Sequence, residues 1–456
     1  MRTHTIKSFS IYGLFGTKDI HIPFDENVKV LIGENGIGKT QILNLLYYTL
    51  TKNFIKLSEI HFKSLTISFG KKDNITIIKK DLISSLKAYR HPIIHKITQV
   101  IGISAFVELQ EMYNSMSDGS DFNLLENRIE TILRRTNIPL TALRSVLREV
   151  GDGVNIDTNS LINSYDKNIS KCTELKEIMY FPTYRRVEED LHNLGYSEED
   201  FKFNQNTLIQ FGMNDVKEQF REIEQTIEKL LKEGLANFTK DILKIATSQN
   251  LDVDKNIFER TSEEDLELIF SRAGTSLDEE TKNAVKETVR TKAAFSNALS
   301  SLLLQKLIEL YEKQKIYDNS IKQFRDICNK YLIEKEVFYD ESKIDIYIKS
   351  TITNETIRLS DLSSGEKQII SIFSKIYLSD KDRRFMILFD EPELSLSIIW
   401  QKTLLPDIIN SKKCDFMCVV THSPFIFENE LDQYAVGLNE YIQISSQTND
   451  SRTIKK

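Results

Sequence analysis

Apolar and polar residues alternate over the first thirty or so positions: Ile6, Phe9 and Ile11, then Ile20, Ile22 and Phe24. Turn residues fall at Gly13, Gly16 and 25–27. A period of two with such breaks predicts short antiparallel strands. Val28, Val30, Leu31 and Ile32 form a more continuous apolar run, as expected of a buried strand, and deliver the chain into the glycine-rich segment 33–38. Ile42, Leu43, Leu45 and Leu46 then follow at helical spacing. Strand patterns return at 64–69 and 74–78, joined through Gly70 and three polar residues. Residues 86–171 read as helical with polar breaks and display no evident chemistry. The block Tyr-Phe-Pro-Thr-Tyr-Arg-Arg at 180–186 is strand-like again.

Two long helical patterns come next. Apolar residues of the first fall at Val216, Phe220, Ile223, Ile227, Leu231, Leu235, Phe238, Ile242 and Ile245. Those of the second fall at Phe295, Leu299, Leu303, Leu307, Leu310, Tyr317, Ile321, Phe324 and Tyr331. Spacings of three and four over several heptads predict narrow apolar seams, interrupted by Gly234 in the first and by Gln314 and Cys328 in the second. The expected arrangement is a short antiparallel coiled-coil arm with 246–290 at its tip. The plainer alternative is two amphipathic helices packed on a globular core. A helix start at 362–366 and two strongly apolar strands at 385–389 and 415–420 complete the pattern.

Chemistry gathers at the ends of these strands. Gly33-Glu34-Asn35-Gly36-Ile37-Gly38-Lys39-Thr40 satisfies the phosphate-loop pattern GxxxxGK[ST]. Its glycines allow the tight turn that aims backbone N–H groups at an anion, and the helix that follows adds its positive end. Lys39 would meet the β- and γ-phosphates, Thr40 would ligate Mg²⁺, and Gln41 continues the loop into the helix. Asp390 and Glu391 end the run 385–389. The first carboxylate is suited to Mg²⁺, the second to orienting or deprotonating an attacking water. His422 ends the next strand, where an imidazole can reach a γ-phosphate. Ser363 with Glu366 makes a capping box, so Ser363, Ser364, Gly365 and Glu366 open a helix whose N-terminus can also grip a phosphate. The expected cofactors are ATP and Mg²⁺.

Composition narrows the setting. With 40% hydrophobic residues the chain can bury a sizeable core, and its formal net charge of −7 argues against a surface coated in nucleic acid. No run of residues approaches a membrane span, and the first residues lack the apolar run of a signal peptide, so a cytoplasmic protein is expected. Four scattered cysteines make neither a disulfide framework nor a convincing zinc site.

The segments GENGIGKT, LSSGEKQ, ILFDEPELSL and THSPFI resemble the ABC-type ATPase class that includes RecF, SMC/Rad50 and OLD proteins, the OLD-like branch above all. The resemblance covers roughly the first 80 residues, the 180–186 block and the last 120. It implies an α/β ABC-type ATPase head, with a mixed sheet core and an antiparallel N-terminal subdomain, split by a helical insertion and a short antiparallel coiled-coil arm. The implied divisions are an N-lobe at 1–85, an insertion at 86–171, a return strand at 172–204, an arm at 205–335 and a C-lobe at 336–456. It also implies head-to-head dimers in which Lys39 faces Ser363 and Gly365 of a second copy. Ser364 stands where the signature LSGG has glycine, Ser397 where OLD-like chains often have histidine, and Gln99 is the expected Q-loop residue. A Toprim nuclease domain would follow the histidine strand in an OLD nuclease, and only a short polar stretch follows here, so the nuclease is expected on another chain. Stand-alone ATPases of this kind resemble the ATPase subunits of two-gene antiphage systems, the PARIS (phage anti-restriction induced) system in particular. That resemblance implies a sensor that holds a separate Toprim, tRNA-cleaving nuclease inactive until a phage-encoded trigger protein appears. The ATPase of Septu-type systems, paired with an HNH nuclease, and a RecF- or SMC-like DNA-repair clamp stay open beside it; DNA as a partner is possible but not indicated, and a membrane is not expected.

Overall fold

The computed structural model describes residues 6–34, 36–70, 73–86, 161–173, 176–182, 213–247, 261–273, 298–380 and 382–444, with isolated positions at 106, 109 and between 280 and 287. Asn35, Gln99, most of the 86–171 insertion and residues 183–186 lie outside them. The chain divides into two compact units, one of residues 1–210 with 383–456 and the other Phe211–Asp382.

The first unit contains two sheets. Strands β1 (Ser8–Leu14), β2 (Lys18–Pro23), β4 (Ser64–Ser68) and β5 (Asn74–Ile78) pair antiparallel, β1 with β2 and β4 with β5 through short turns and β1 with β4 across distant segments. The late strand β13 (Ile442–Ile444) joins them at β2. The second sheet runs in the order β12-β3-β11-β10-β6. Its members are β3 (Val28–Ile32), β6 (Lys176–Phe181), β10 (Arg384–Asp390), β11 (Cys414–Thr421) and β12 (Ala435–Gly437), and every pairing is parallel. The core sheet is thus parallel throughout rather than mixed. Parallel neighbours need long crossovers, which the chain supplies between these strands, while the tight turns near the N-terminus can only make antiparallel pairs.

Burial explains the continuous apolar runs. Phe385, Met386, Ile387, Leu388 and Phe389 are buried, as are 416–420 of β11, so side chains on both faces of these strands are covered, with α1 packed on β6, β10 and β11. Phe181 stacks on Phe389 with ring centroids 4.6 Å apart, and Phe24 meets Phe416 edge-on at 5.1 Å. α1 (Lys39–Leu50), α2 (Phe54–Glu59), α3 (Lys79–Ser85) and α4 (Leu161–Thr173) belong to the same unit.

The second unit is built on α5 (Met213–Thr247) and α7 (Ala298–Cys328). Phe220 meets Phe324, while Gly234, farther along α5, meets Leu310, earlier on α7, so the two helices run antiparallel. A Cβ at Gly234 would overlap the Leu310 side chain, which makes this glycine the point of close approach. Val216, Phe220, Ile223 and Ile227 are buried as the seam predicts. On α7 Gln314 is buried at its seam position, but the seam departs from expectation beside it: Tyr317 is only half-buried, while Asp318 is buried. The reason is a third helix, α6 (Glu263–Ala273), inside the expected tip. Leu266, Ile269 and Phe270 of α6 pack on Leu304, Ile308 and Tyr311, and Arg272 pairs with Asp318. A three-stranded sheet of β7 (Lys335–Asp340), β8 (Asp345–Ser350) and β9 (Thr356–Ile357) and the helix α8 (Ser364–Tyr377) complete the unit. Among the described residues no helix is long and apolar enough to cross a membrane.

Candidate active site

The parallel register sets the site. Val420 lies beside Asp390 and Thr421 beside Ile32, so the C-terminal ends of β10, β11 and β3 stand in a row. Open parallel sheets bind ligands at that edge. Gly33 N donates to Thr421 O at 3.3 Å, joining the phosphate loop to the strand that ends in His422. Gly36 and Gly38 adopt φ values of 86° and 108°, where a side chain is strained. Gly38 caps α1, whose own first turn carries no acid, so the positive helix end faces the loop. Lys18 Nζ donates to Ile37 O at 3.0 Å and braces the loop from β2.

Five predicted residues converge here. Lys39 is buried, with Nζ 2.5 Å from Gly33 O and 3.4 Å from Glu391 Oε1. Thr40 Oγ1 donates to Asp390 Oδ1 at 3.2 Å. Two hard oxygen donors at that separation, one a buried carboxylate, fit Mg²⁺. His422 Nδ1 stands 3.6 Å from Glu391 Oε1. Glu391 has a left-handed φ of 51°, rare for a residue with a side chain; such backbone costs on the order of 1–3 kcal/mol and concentrates at functional sites.

Ser363, Ser364, Gly365 and Glu366 belong to the other unit. The predicted capping box is present: Glu366 N donates to Ser363 Oγ at 3.4 Å and Ser363 N to Glu366 Oε2 at 2.8 Å. Lys335 Nζ adds bonds of 2.8 Å to both Glu366 oxygens. Burial alone would raise the Glu366 carboxyl, but the bonds from Lys335 and Ser363 outweigh it and hold the group below the ordinary range. Ser397 caps α9 (Ile398–Asn410) by accepting from Trp400 N at 3.4 Å, which gives this serine a local reason to stand there.

Three residues outside the predicted set stand near the site. Tyr180 is buried, stacks on Tyr47 at 4.9 Å and reaches Asp390 Oδ2 through its hydroxyl at 3.5 Å. Phe15 stands half-exposed with Cε2 3.3 Å from where a Gly38 Cβ would be, an aromatic face beside the phosphate loop. Glu393 is buried beside His422, with Oε1 3.2 Å from Nδ1. Each depends on a pairing across distant segments, although the spacing of Glu393 from Asp390 repeats the acid-rich strand end.

The model of the AAA ATPase domain family matches residues 5–427. The chain belongs to this family. Lys39, Thr40, Asp390, Glu391 and His422 all fall within the matched residues. Two solved structures of SMC heads are similar at 13% identity. One is an SmcHead bound to the C-winged helix domain of ScpA, with a TM-score of 0.35, covering 92% of this chain and 90% of that one. The other is an Smc head domain with an extended coiled coil bound to the C-terminal domain of ScpA derived from Pyrococcus furiosus, with a TM-score of 0.36, covering 96% and 95%. Likeness at these scores supports no inference about fold or function. No match is found among curated proteins.

Proposed function

We propose that this AAA-family ATPase is the ATP-hydrolysing sensor subunit of a two-gene antiphage system of the AriA/PARIS type. The observation that supports the ATPase half is the meeting of Lys39, Glu391 and His422 beside the Thr40–Asp390 pair. Lys39 holds the terminal phosphates, Glu391 takes the proton of the attacking water, and His422 steadies the γ-phosphate. Thr40 and Asp390 are the ligands for Mg²⁺, which when bound neutralises charge on the phosphate oxygens. Phe15 supplies a stacking face for the base. ATP drives two heads together, with Lys39 of one opposite Ser363 and Gly365 of the other.

The sensor half rests on the OLD-like pieces DEPEL and THSP on a chain whose acids at the strand ends are committed to ATP chemistry. Nuclease action then falls to a separate polypeptide, of Toprim type, held inactive until a phage anti-restriction protein is recognised. The test is co-expression with the neighbouring gene. A stable co-purified complex that releases its partner, and arrests growth by cutting tRNA, only when the trigger is supplied would support the reading. Metal-dependent cleavage of tRNA or DNA by this chain alone would overturn it, and tight salt-dependent binding of duplex DNA without any partner would favour the repair-clamp alternative.

A further inference from the structure

Glu393 is placed unlike an ordinary turn carboxylate. It lies two residues past Glu391 in the turn after β10, and its side chain is 4% exposed. Oε1 accepts from Thr421 Oγ1 at 2.7 Å, His422 N at 3.0 Å and Ser423 N at 3.2 Å, and lies 3.2 Å from His422 Nδ1. Oε2 is buried with no hydrogen-bond partner among the described residues. One oxygen therefore gathers a donor from each of residues 421–423, the segment that carries His422. Gln401 of α9 closes the same cluster from the other side. Its amide donates to Glu393 O and Leu396 O, and its carbonyl accepts from Ser423 Oγ at 2.8 Å.

A carboxylate oxygen only accepts, so the 3.2 Å approach of His422 Nδ1 to Glu393 is favourable when the proton is on Nδ1. Nε2 is then the ring position left to meet a phosphate oxygen. A buried carboxylate costs several kcal/mol in solvation, and donors concentrated on one histidine-bearing segment are a specific return for that cost. We infer that Glu393 is a positioning residue for ATP hydrolysis, fixing the ring orientation and tautomer of His422 so that Nε2 faces the nucleotide. The inference rests on the ATPase reading above. Glu393 acts through His422 and touches neither nucleotide nor water itself.

The experiment is a double-mutant cycle on the full chain with ATP and Mg²⁺, reading kcat, ATP affinity and melting temperature together. Glu393→Ala lowers kcat by about 10–100-fold, the usual cost of removing the partner that orients a functional histidine. ATP affinity stays near that of the unaltered protein, because Lys39 and the phosphate loop are untouched. Glu393→Gln recovers most of the lost turnover, since its carbonyl oxygen can accept the same donors. In a His422→Ala background, Glu393→Ala causes no further loss, and nitrogen NMR of labelled histidine shows Nδ1 protonated only when Glu393 or Gln is present. Thr421→Val, which removes one donor, gives a milder version of the same pattern should Glu393→Ala fail to fold. Unchanged kcat in Glu393→Ala, multiplicative losses in the double variant, or no recovery with glutamine would each overturn the assignment. Absence of hydrolysis by the unaltered chain would instead overturn the ATPase reading beneath it.

Discussion

At the scale of single residues, the site separates gripping from chemistry. Lys39 Nζ and Glu391 Oε1 stand 3.4 Å apart, so in the proposed reaction the cation that would hold phosphate and the carboxylate that would activate water address the same space. Lys39→Ala removes a charge-assisted contact worth about 1.5–3 kcal/mol, which weakens ATP binding roughly 10–100-fold. Near-normal affinity by titration calorimetry would remove Lys39 from the phosphate site. Glu391→Gln keeps the shape of the turn and the Thr40–Asp390 pair but loses the base. ATP then still binds, and single-turnover hydrolysis falls by about two orders of magnitude or more. Equal losses in binding and turnover would show that Glu391 grips rather than activates. These residues were legible in the sequence because each sits at a fixed offset from an apolar strand. Tyr180, Phe15 and Glu393 were not, because their partners Asp390, Gly38 and His422 come from distant segments.

At the scale of elements, two polar contacts in the second unit stand out because each holds a buried charged side chain, Arg272 in one and Glu366 in the other. Arg272 of α6 donates to Glu341 O, Gln314, both oxygens of Asp318, and Tyr339, which uses all five guanidinium N–H groups. Desolvation favours losing the charge, yet the bonds and charge of Asp318 more than offset it and hold the guanidinium protonated. Arg272→Ala leaves Asp318 buried without its partner and costs about 3–5 kcal/mol, read by denaturant melts. A loss below about 1 kcal/mol would show that water reaches the pair. The heptad pattern could not reveal this, since Gln314 simply interrupted the seam and the helix that uses it lies 42 residues earlier at Arg272.

The other element is the cap of α8. Glu366 has a folded-state value below its ordinary 4.5, so the stability it contributes is present above that pH and is lost as pH falls through the depressed value. Glu366→Gln therefore lowers the melting temperature at neutral pH, and the difference from the unaltered chain shrinks as the buffer is taken below pH 4.5. A difference that grew on acidification would contradict the cap assignment. The serine and glutamate of this cap were readable at their spacing of three; Lys335, which strengthens it, lies 31 residues before Glu366, a contact no local pattern discloses.

At the scale of the whole molecule, the sequence order itself carries an argument. The phosphate loop, acidic strand and histidine strand return to one unit although some 340 residues separate the first from the others, while the signature segment belongs to the second unit. In the proposed dimer each ATP is held by Lys39 of one copy and by Ser363 and Gly365 of the other. That arrangement predicts complementation between two dead proteins. Lys39→Ala cripples a copy's own phosphate loop but leaves its signature intact. Ser363→Arg does the reverse, placing a bulky side chain at the signature end while the phosphate loop survives. Each variant alone forms only defective sites. In a mixed dimer, one site combines the intact loop of the Ser363→Arg copy with the intact signature of the Lys39→Ala copy, while the other site is doubly impaired. Mixing equal amounts should restore roughly a quarter of the unaltered ATPase rate, since about half of the dimers are mixed and each has one working site. Differently tagged copies, purified in tandem, isolate the mixed species for the assay. Inactivity of confirmed mixed dimers, with the unaltered dimer active in parallel, would show that each ATP is handled within one chain and would withdraw the shared site.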